Sequence, residues 1–235
     1  MELESIEFSF LSIFTLITFF IFLIINKYSY KIKNGILLDR DFSKPQAFHS
    51  SAISRSGGIA GIISLNIFFI IYYLIYSKVL YGYIFISNSM FLVGFLDDIK
   101  IKINPSKRLI LMIFFLIFFI NFVPIKIINI DIPFLITFLQ NNIFSSIFVL
   151  LCFLFIINGA NLIDGFNGLL TINLIIINTI LAYINLISAN NEFTVFIVAQ
   201  IIILLAFLLF NFPKAKIFLG DSGSYLMGSL VALNS

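Results

Sequence analysis

Apolar runs of near-membrane length recur along this chain, each closed by a short polar stretch. A helix crossing the hydrocarbon of a bilayer needs about 20 mostly apolar residues. The runs Phe8–Ile25, Ile59–Tyr76, Val79–Leu96, Leu109–Ile125, Ile143–Ile157, Leu169–Ile187 and Phe193–Phe210 meet or approach that length. An eighth opens near Tyr225 and is cut at Ser235. The fifth is the shortest, and Phe134–Leu139 ahead of it reads as a separate interfacial piece. The pattern predicts an all-α polytopic membrane helix bundle with seven complete spans and a partial eighth. No Pro-rich linker, charge block or internal repeat divides it, so residues 1–235 read as one membrane domain.

Composition removes the soluble alternatives. Apolar residues make up 61% of the chain and charged residues 11%, against about 25% charged in an ordinary soluble domain. There is no Trp, so any aromatic belt at the membrane interface falls to the nine Tyr. Cys152 is the only cysteine, which rules out an internal disulfide and a cysteine metal cluster; in its apolar run it reads as a small hydrophobe. The N-terminus carries Glu2, Glu4 and Glu7 and no small-residue cleavage site follows, so the first run reads as a retained span. No nucleic-acid partner is expected.

The positions of the charges set the orientation. With the N-terminus outside, the inside loops are Asn26–Gly58, Asp97–Arg108, Asn158–Gly168 and Asn211–Ser224. They hold twelve of the 14 Lys and Arg, and only Lys78 and Lys126 fall on the other side. Basic loops mark the cytoplasmic face, so the inside is predicted to be cytoplasmic.

The same four loops hold nearly every unusual polar residue. Asp97 and Asp98 end the third span, where the helix dipole disfavours negative charge and calls for a cation such as Lys100, Lys102 or a metal. Read without ligands, the pair is a solvated helix end. Carboxylates at the edge of hydrocarbon are more often functional, and oxygen donors with no His or Cys cluster suit Mg²⁺ or Mn²⁺. The third loop reads Asn158-Gly-Ala-Asn161-Leu-Ile-Asp164-Gly165-Phe-Asn167-Gly168. In a helical stretch Asn158, Asn161 and Asp164 drift around one face; the bland alternative is a polar turn between two helices. Gly220-Asp221-Ser222-Gly223-Ser224 suits an N-cap for the eighth span, and such an end also favours phosphate. His49, the lone histidine, and Arg55 lie in the first loop, and the Gly57/Gly61 spacing suits close helix packing.

Taken in order, these motifs resemble the polyprenyl-phosphate N-acetylhexosamine-1-phosphate transferases, which share a superfamily with phospho-N-acetylmuramoyl-pentapeptide transferase. The resemblance runs from Lys44 to the C-terminus through Lys44–His49 with Arg55–Gly58, Gly94–Asp98, Asn158–Leu169 and Phe218–Ser224. It implies transfer of a sugar-1-phosphate, GlcNAc-1-phosphate first, from a UDP-N-acetylhexosamine to undecaprenyl or another polyprenyl phosphate, with release of UMP. Asp97, Asp98 and Asp221 would be catalytic, with Asp221, Asp98 and Asp164 as Mg²⁺ (or Mn²⁺) ligands. Asn158, Asn161, Asp164, Asn167, His49, Arg55, Gly220 and Ser222 would hold substrates. The place would be the cytoplasmic face of a bacterial inner membrane, at the start of an envelope glycan such as O-antigen lipopolysaccharide, with a homodimer as a candidate assembly. Asn167 and Arg55-Ser56-Gly57-Gly58 depart from the lipid I-forming pattern and favour the glycan-initiating branch. The family's further spans and last cytoplasmic loop would follow Ser235. A cation transporter is the rival class, disfavoured because transporters keep ionisable groups near the midplane whereas these sit at span ends.

Overall fold

The computed structural model describes residues 2–29, 31, 36–39, 52–99, 104–123, 125, 132–188 and 190–235. The motif Lys44–His49, and with it His49, lies outside the described residues, as do Lys100 and Lys102. The order is α1 (Glu2–Tyr28), β1 (Leu38–Asp39), β2 (Ile53–Ser54), α2 (Gly57–Tyr76), α3 (Tyr81–Asp98), α4 (Pro105–Phe122), α5 (Pro133–Leu139), α6 (Asn142–Ile163), α7 (Leu169–Ile187), α8 (Asn191–Asn211) and α9 (Gly220–Asn234). The chain is an all-α polytopic membrane bundle.

Among the described residues, six helices are long and apolar enough to cross a membrane: α1, α2, α4, α6, α7 and α8. These are six of the seven complete spans expected from the apolar runs. The third run does form a helix, α3, but Ser87, Asn88, Ser89 and Gly94 dilute its apolar character. The fifth run differs the other way. Helix α6 continues through Asn158 and Asn161 to Ile163, so residues expected in a loop extend the helix by more than a turn. Phe134–Leu139 does fold separately, within α5, opened by Pro133 at a first-turn position where its missing N–H costs nothing.

The centre of the bundle is α9. It packs against α3 and α6, with α2 and α7 alongside, and all of Ser222–Val231 is buried. Small residues permit this. A side chain on Gly94 of α3 would meet the Asp221 carbonyl, and one on Gly228 would come 2.9 Å from Ala160 of α6. In lipid, where apolar side chains gain little from leaving the solvent, such close approach supplies the van der Waals contact that holds helices together. Around this axis, Phe10, Phe14, Phe68 and Phe196 tie α1, α2 and α8 through ring contacts of 5.4–5.8 Å. Met90, Met112, Leu116, Phe119, Phe153 and Tyr225 fill a second cluster between α3, α4, α6 and α9. Outward faces stay apolar, as at Phe155, Leu162 and Ile143.

A two-stranded ribbon closes one end. Leu38 pairs with Ser54 and Asp39 with Ile53 in antiparallel register. Ser54 also bridges to Ile217, and Phe218 N–H donates to the Ser54 carbonyl at 2.8 Å. Helix α2 opens without a capping side chain. Instead the Gly57 and Gly58 amides donate to the Phe218 and Leu219 carbonyls, both at 2.9 Å, so the backbone entering α9 satisfies the free N–H groups of α2.

Candidate active site

The end of α3, the start of α4, the end of α6 and the start of α9 meet at the end of the bundle closed by the ribbon. There the Arg108 Nη1 donates to Asp97 Oδ2 at 3.0 Å and to Asp221 Oδ2 at 2.7 Å. The other Asp221 oxygen accepts from Asn161 Nδ2 at 3.0 Å, and that amide also donates to Ser224 Oγ at 2.9 Å. One cation thus sits between carboxylates brought from α3 and α9. Arg108 carries the charge that the sequence left to Lys100, Lys102 or a metal.

Asp98 has a different environment. It is 1% exposed, and its two oxygens accept the Asp221 amide at 3.0 Å and the Ser222 amide at 2.9 Å. The last residue of α3 therefore caps the first turn of α9 from outside, as an N-cap side chain does from within a helix. The positive end of the α9 dipole compensates the charge that the C-terminus of α3 disfavours. Gly220 makes room for this: its φ is +77°, and a Cβ there would stand 2.6 Å from Asp98 Oδ2. Arg55 completes the line, donating from Nε and Nη2 to Asp39 Oδ2 at 3.2 and 2.7 Å while its Nη1 lies 3.8 Å from Asp98 Oδ1.

Burial and mutual repulsion raise the acids. Burial, then the neighbouring Asp221, pushes Asp97 up to about 6 against the pull of Arg108 and Arg55. Burial carries Asp98 to about 7 despite its Ser222 hydrogen bonds. Asp164, the residue that ends α6, is raised to about 8 by burial and by Asp221 and Asp98. For Arg55, burial works against the charge, but the hydrogen bond and charge of Asp39 more than offset it and raise its pKa. Clustered carboxylates with such shifts are characteristic of sites where a cation or a proton is handled.

The remaining candidates spread out. Asn158 donates to the Leu154 carbonyl at 2.8 Å and faces Met112, not the acids. Asn167 donates to the Pro213 carbonyl at 3.2 Å on the α8–α9 connection. A side chain on Gly159 or Gly165 would meet nothing within 4 Å, whereas Gly168 has φ +77° and a turn to make. Three participants escaped the sequence reading. Arg108 was hidden among loop basics. Asp39 stands ahead of the Lys44–His49 motif and belongs to none, and Asn211 ends an apolar run. The Asn211 side chain accepts from Gly168 N at 2.7 Å and donates to the Ile217 carbonyl at 3.0 Å, binding two loops of the site together.

For a divalent metal, the donor chemistry fits at one place. Asp97 and Asp221 already share one cationic group, whereas the Asp98 oxygens are committed to amides. No three His, Cys, Asp or Glu side chains converge as a ligand set among the described residues. The expected ligand set of Asp98, Asp164 and Asp221 is thus not gathered there; a divalent ion would take Asp97 and Asp221, with substrate phosphates and water completing its shell.

A polytopic bundle that gathers carboxylates, guanidinium groups and an amide at one rim defines a membrane protein with an ionic site beside the hydrocarbon. The profile described as glycosyl transferase family 4 matches residues 79–235, and the chain belongs to that family. It is 31% identical over 238 residues to the phospho-N-acetylmuramoyl-pentapeptide-transferase of Buchnera aphidicola subsp. Baizongia pistaciae, covering 88% of this chain and 68% of that protein. The protein of the same name in Clostridium perfringens (strain 13 / Type A) is 37% identical over 150 residues, 60% of this chain and 47% of that one. Its counterpart in Staphylococcus carnosus is 29% identical over 198 residues, 75% and 59%. The chain spans about half the length of the first curated relatives it matches.

Proposed function

We propose that this chain carries the catalytic rim of a membrane phospho-sugar transferase. It would move an N-acetylhexosamine-1-phosphate, GlcNAc-1-phosphate first, from UDP to undecaprenyl or another polyprenyl phosphate, at the cytoplasmic face of a bacterial inner membrane. The observation that carries the reading is the sharing of one cation by Asp97 and Asp221, on helices that meet at the ribbon end of the bundle. Both reactants are anions, so a site for them must supply positive charge, orientation and a place for one proton.

The residues divide those tasks. A lipid phosphate oxygen forms a bond to the β-phosphorus of the donor, the bond from that phosphorus to the bridging oxygen breaks, and UMP leaves with the electron pair. Asp97, its pKa raised to about 6 by burial and by Asp221, takes the proton of the lipid phosphate. Asn161 fixes one oxygen of Asp221 and leaves the other toward Arg108. Arg108 and Arg55 bring guanidinium charge to the phosphates, and Asp164 at the end of α6 stands with Asn161 on the nucleotide-sugar side. Asp98 acts from behind by fixing the first turn of α9. Asp221, with Asp97 beside it, would hold Mg²⁺ (or Mn²⁺), which when bound would supply charge neutralisation and orientation of the pyrophosphate.

A second reading keeps the reaction and changes the donor to UDP-N-acetylmuramoyl-pentapeptide, favoured by the relatives, which are phospho-N-acetylmuramoyl-pentapeptide-transferases. Asn167, tied to Pro213, and the Arg55–Gly58 stretch favour the smaller donor. Membranes containing the chain, undecaprenyl phosphate and Mg²⁺ are incubated with each UDP-sugar, and lipid product mass and UMP are measured. An EDTA-sensitive GlcNAc-pyrophosphoryl lipid supports the first donor, and a muramoyl-pentapeptide lipid supports the second. Absence of both products and of UMP defeats the transferase reading for this chain.

A further inference from the structure

We propose that Asp39 is a positioning residue of this site: through Arg55 it keeps the Asp98 carboxylate on the two amides that open α9, and so sets the direction of Asp221. The catalytic half of this inference rests on the transferase reading; the structural half does not.

Asp39 and Arg55 meet because of the ribbon register. Asp39 pairs with Ile53, which places Arg55 at the diagonal position on the same face, within reach of a long side chain. The Arg55 amide is fixed as well, donating to the Leu37 carbonyl at 2.9 Å. Two guanidinium nitrogens converge on Asp39 Oδ2, leaving Nη1 at 3.8 Å from Asp98 Oδ1, beyond hydrogen-bond reach. The charge of Arg55 is therefore felt at Asp98 while its Nε and Nη2 donors are directed to Asp39.

That separation matters because Asp98 has no slack. One oxygen accepts the Asp221 amide and the other the Ser222 amide, and the carboxylate fills the space where Gly220 lacks a side chain. A guanidinium released from Asp39 is free to close the 3.8 Å gap to Asp98 Oδ1 and to compete there with the Asp221 amide, which turns the carboxylate on the α9 amides. The ribbon is stitched to the entry of α9 through Ser54, Ile217 and Phe218, so Asp39 and Arg55 stand on the same backbone that delivers Asp221. Among the described residues the path from Asp39 to the reacting groups runs through Arg55 and Asp98.

The test uses the full chain in detergent, without substrate, and reads hydrogen exchange by mass spectrometry in the peptide covering residues 219–224, with α8 as an internal reference. Asp39→Asn is expected to speed exchange at the Asp221 and Ser222 amides about tenfold, the order for losing a charge-assisted hydrogen bond. The double variant Asp39→Asn/Arg55→Gln should exchange no faster than Arg55→Gln alone, because both changes act on one chain of contacts. In the transfer assay Asp39→Asn should lower kcat about tenfold with both KM values within about twofold, the pattern of misplaced groups rather than lost substrate contacts. Unchanged exchange at 219–224, full additivity of the two variants, equal acceleration in α8, or a KM change confined to one substrate would each overturn the proposal. If the unaltered chain transfers no sugar, the transferase reading fails while the exchange data still decide the role of Asp39.

Discussion

Replacing Gly220 by Ala tests the packing between α3 and α9 at its tightest point. Gly220 has φ +77°, a left-handed conformation that costs a side-chain-bearing residue roughly 1–2 kcal/mol. The new methyl carbon would stand 2.6 and 2.9 Å from the two Asp98 oxygens and 3.0 Å from their carbon. These atoms belong to a buried carboxylate already committed to two amides, so the clash is relieved only by backing Asp98 away. A charge-assisted hydrogen bond is worth about 1.5–3 kcal/mol; losing the better part of one brings the total to about 3 kcal/mol. In a chain of this size that lowers the thermal midpoint by roughly 6–12 °C. The assay is thermal unfolding of the detergent-solubilised chain followed by size-exclusion fluorescence. Gly159→Ala is the matched control, since a Cβ there meets nothing within 4 Å and a helix-interior alanine gains roughly 0.5–1 kcal/mol over glycine. A Gly220→Ala protein as stable as the control would refute the capping of α9 by Asp98 and the energies built on it.

The other predictions concern the ionic groups. Asp221→Asn should keep the fold and reduce Mg²⁺-dependent transfer by about a hundredfold or more, read as initial rates at saturating donor; near-normal rates would remove Asp221 from the metal. Arg108→Gln takes away the group that bridges Asp97 and Asp221; the metal-free protein should lose thermal stability, and Mg²⁺ should restore more of it than in the unaltered chain. Equal Mg²⁺ effects in both proteins would show that Arg108 and the metal do not share a seat. Folding raises Asp97, Asp98 and Asp164 from 3.8 to about 6, 7 and 8. Holding them ionised therefore costs stability at pH 8.5, and that cost is relieved as pH falls through the folded values. Metal-free protein should melt higher at pH 5.5 than at pH 8.5, with Mg²⁺ narrowing the gap; a lower midpoint at pH 5.5 would contradict the sign.

Much of this protein is written in the order of its residues. Apolar runs of membrane length leave a water-avoiding chain few choices but helices, since a backbone in lipid must satisfy its own hydrogen bonds. The four polar stretches could be sorted to one side by counting Lys and Arg, and that grouping already pointed at Asp97, Asp98, Asn161 and Asp221. Local pattern misjudged the margins. Helix α6 runs on through two asparagines because Asn161 finds partners on α9 rather than water. Which of two adjacent aspartates faces the cation was beyond any reading of sequence. Asp97 and Asp98 point to different places because successive residues of a helix lie about 100° apart, and only the packing of α9 against α3 decides that one meets Arg108 and the other two amides. The Asp39–Arg55 contact likewise depends on a two-residue ribbon register between positions sixteen apart. Composition and periodicity act locally and survive in the sequence. The partners of a buried charge are chosen by helices that meet in space, and that choice belongs to the tertiary structure alone.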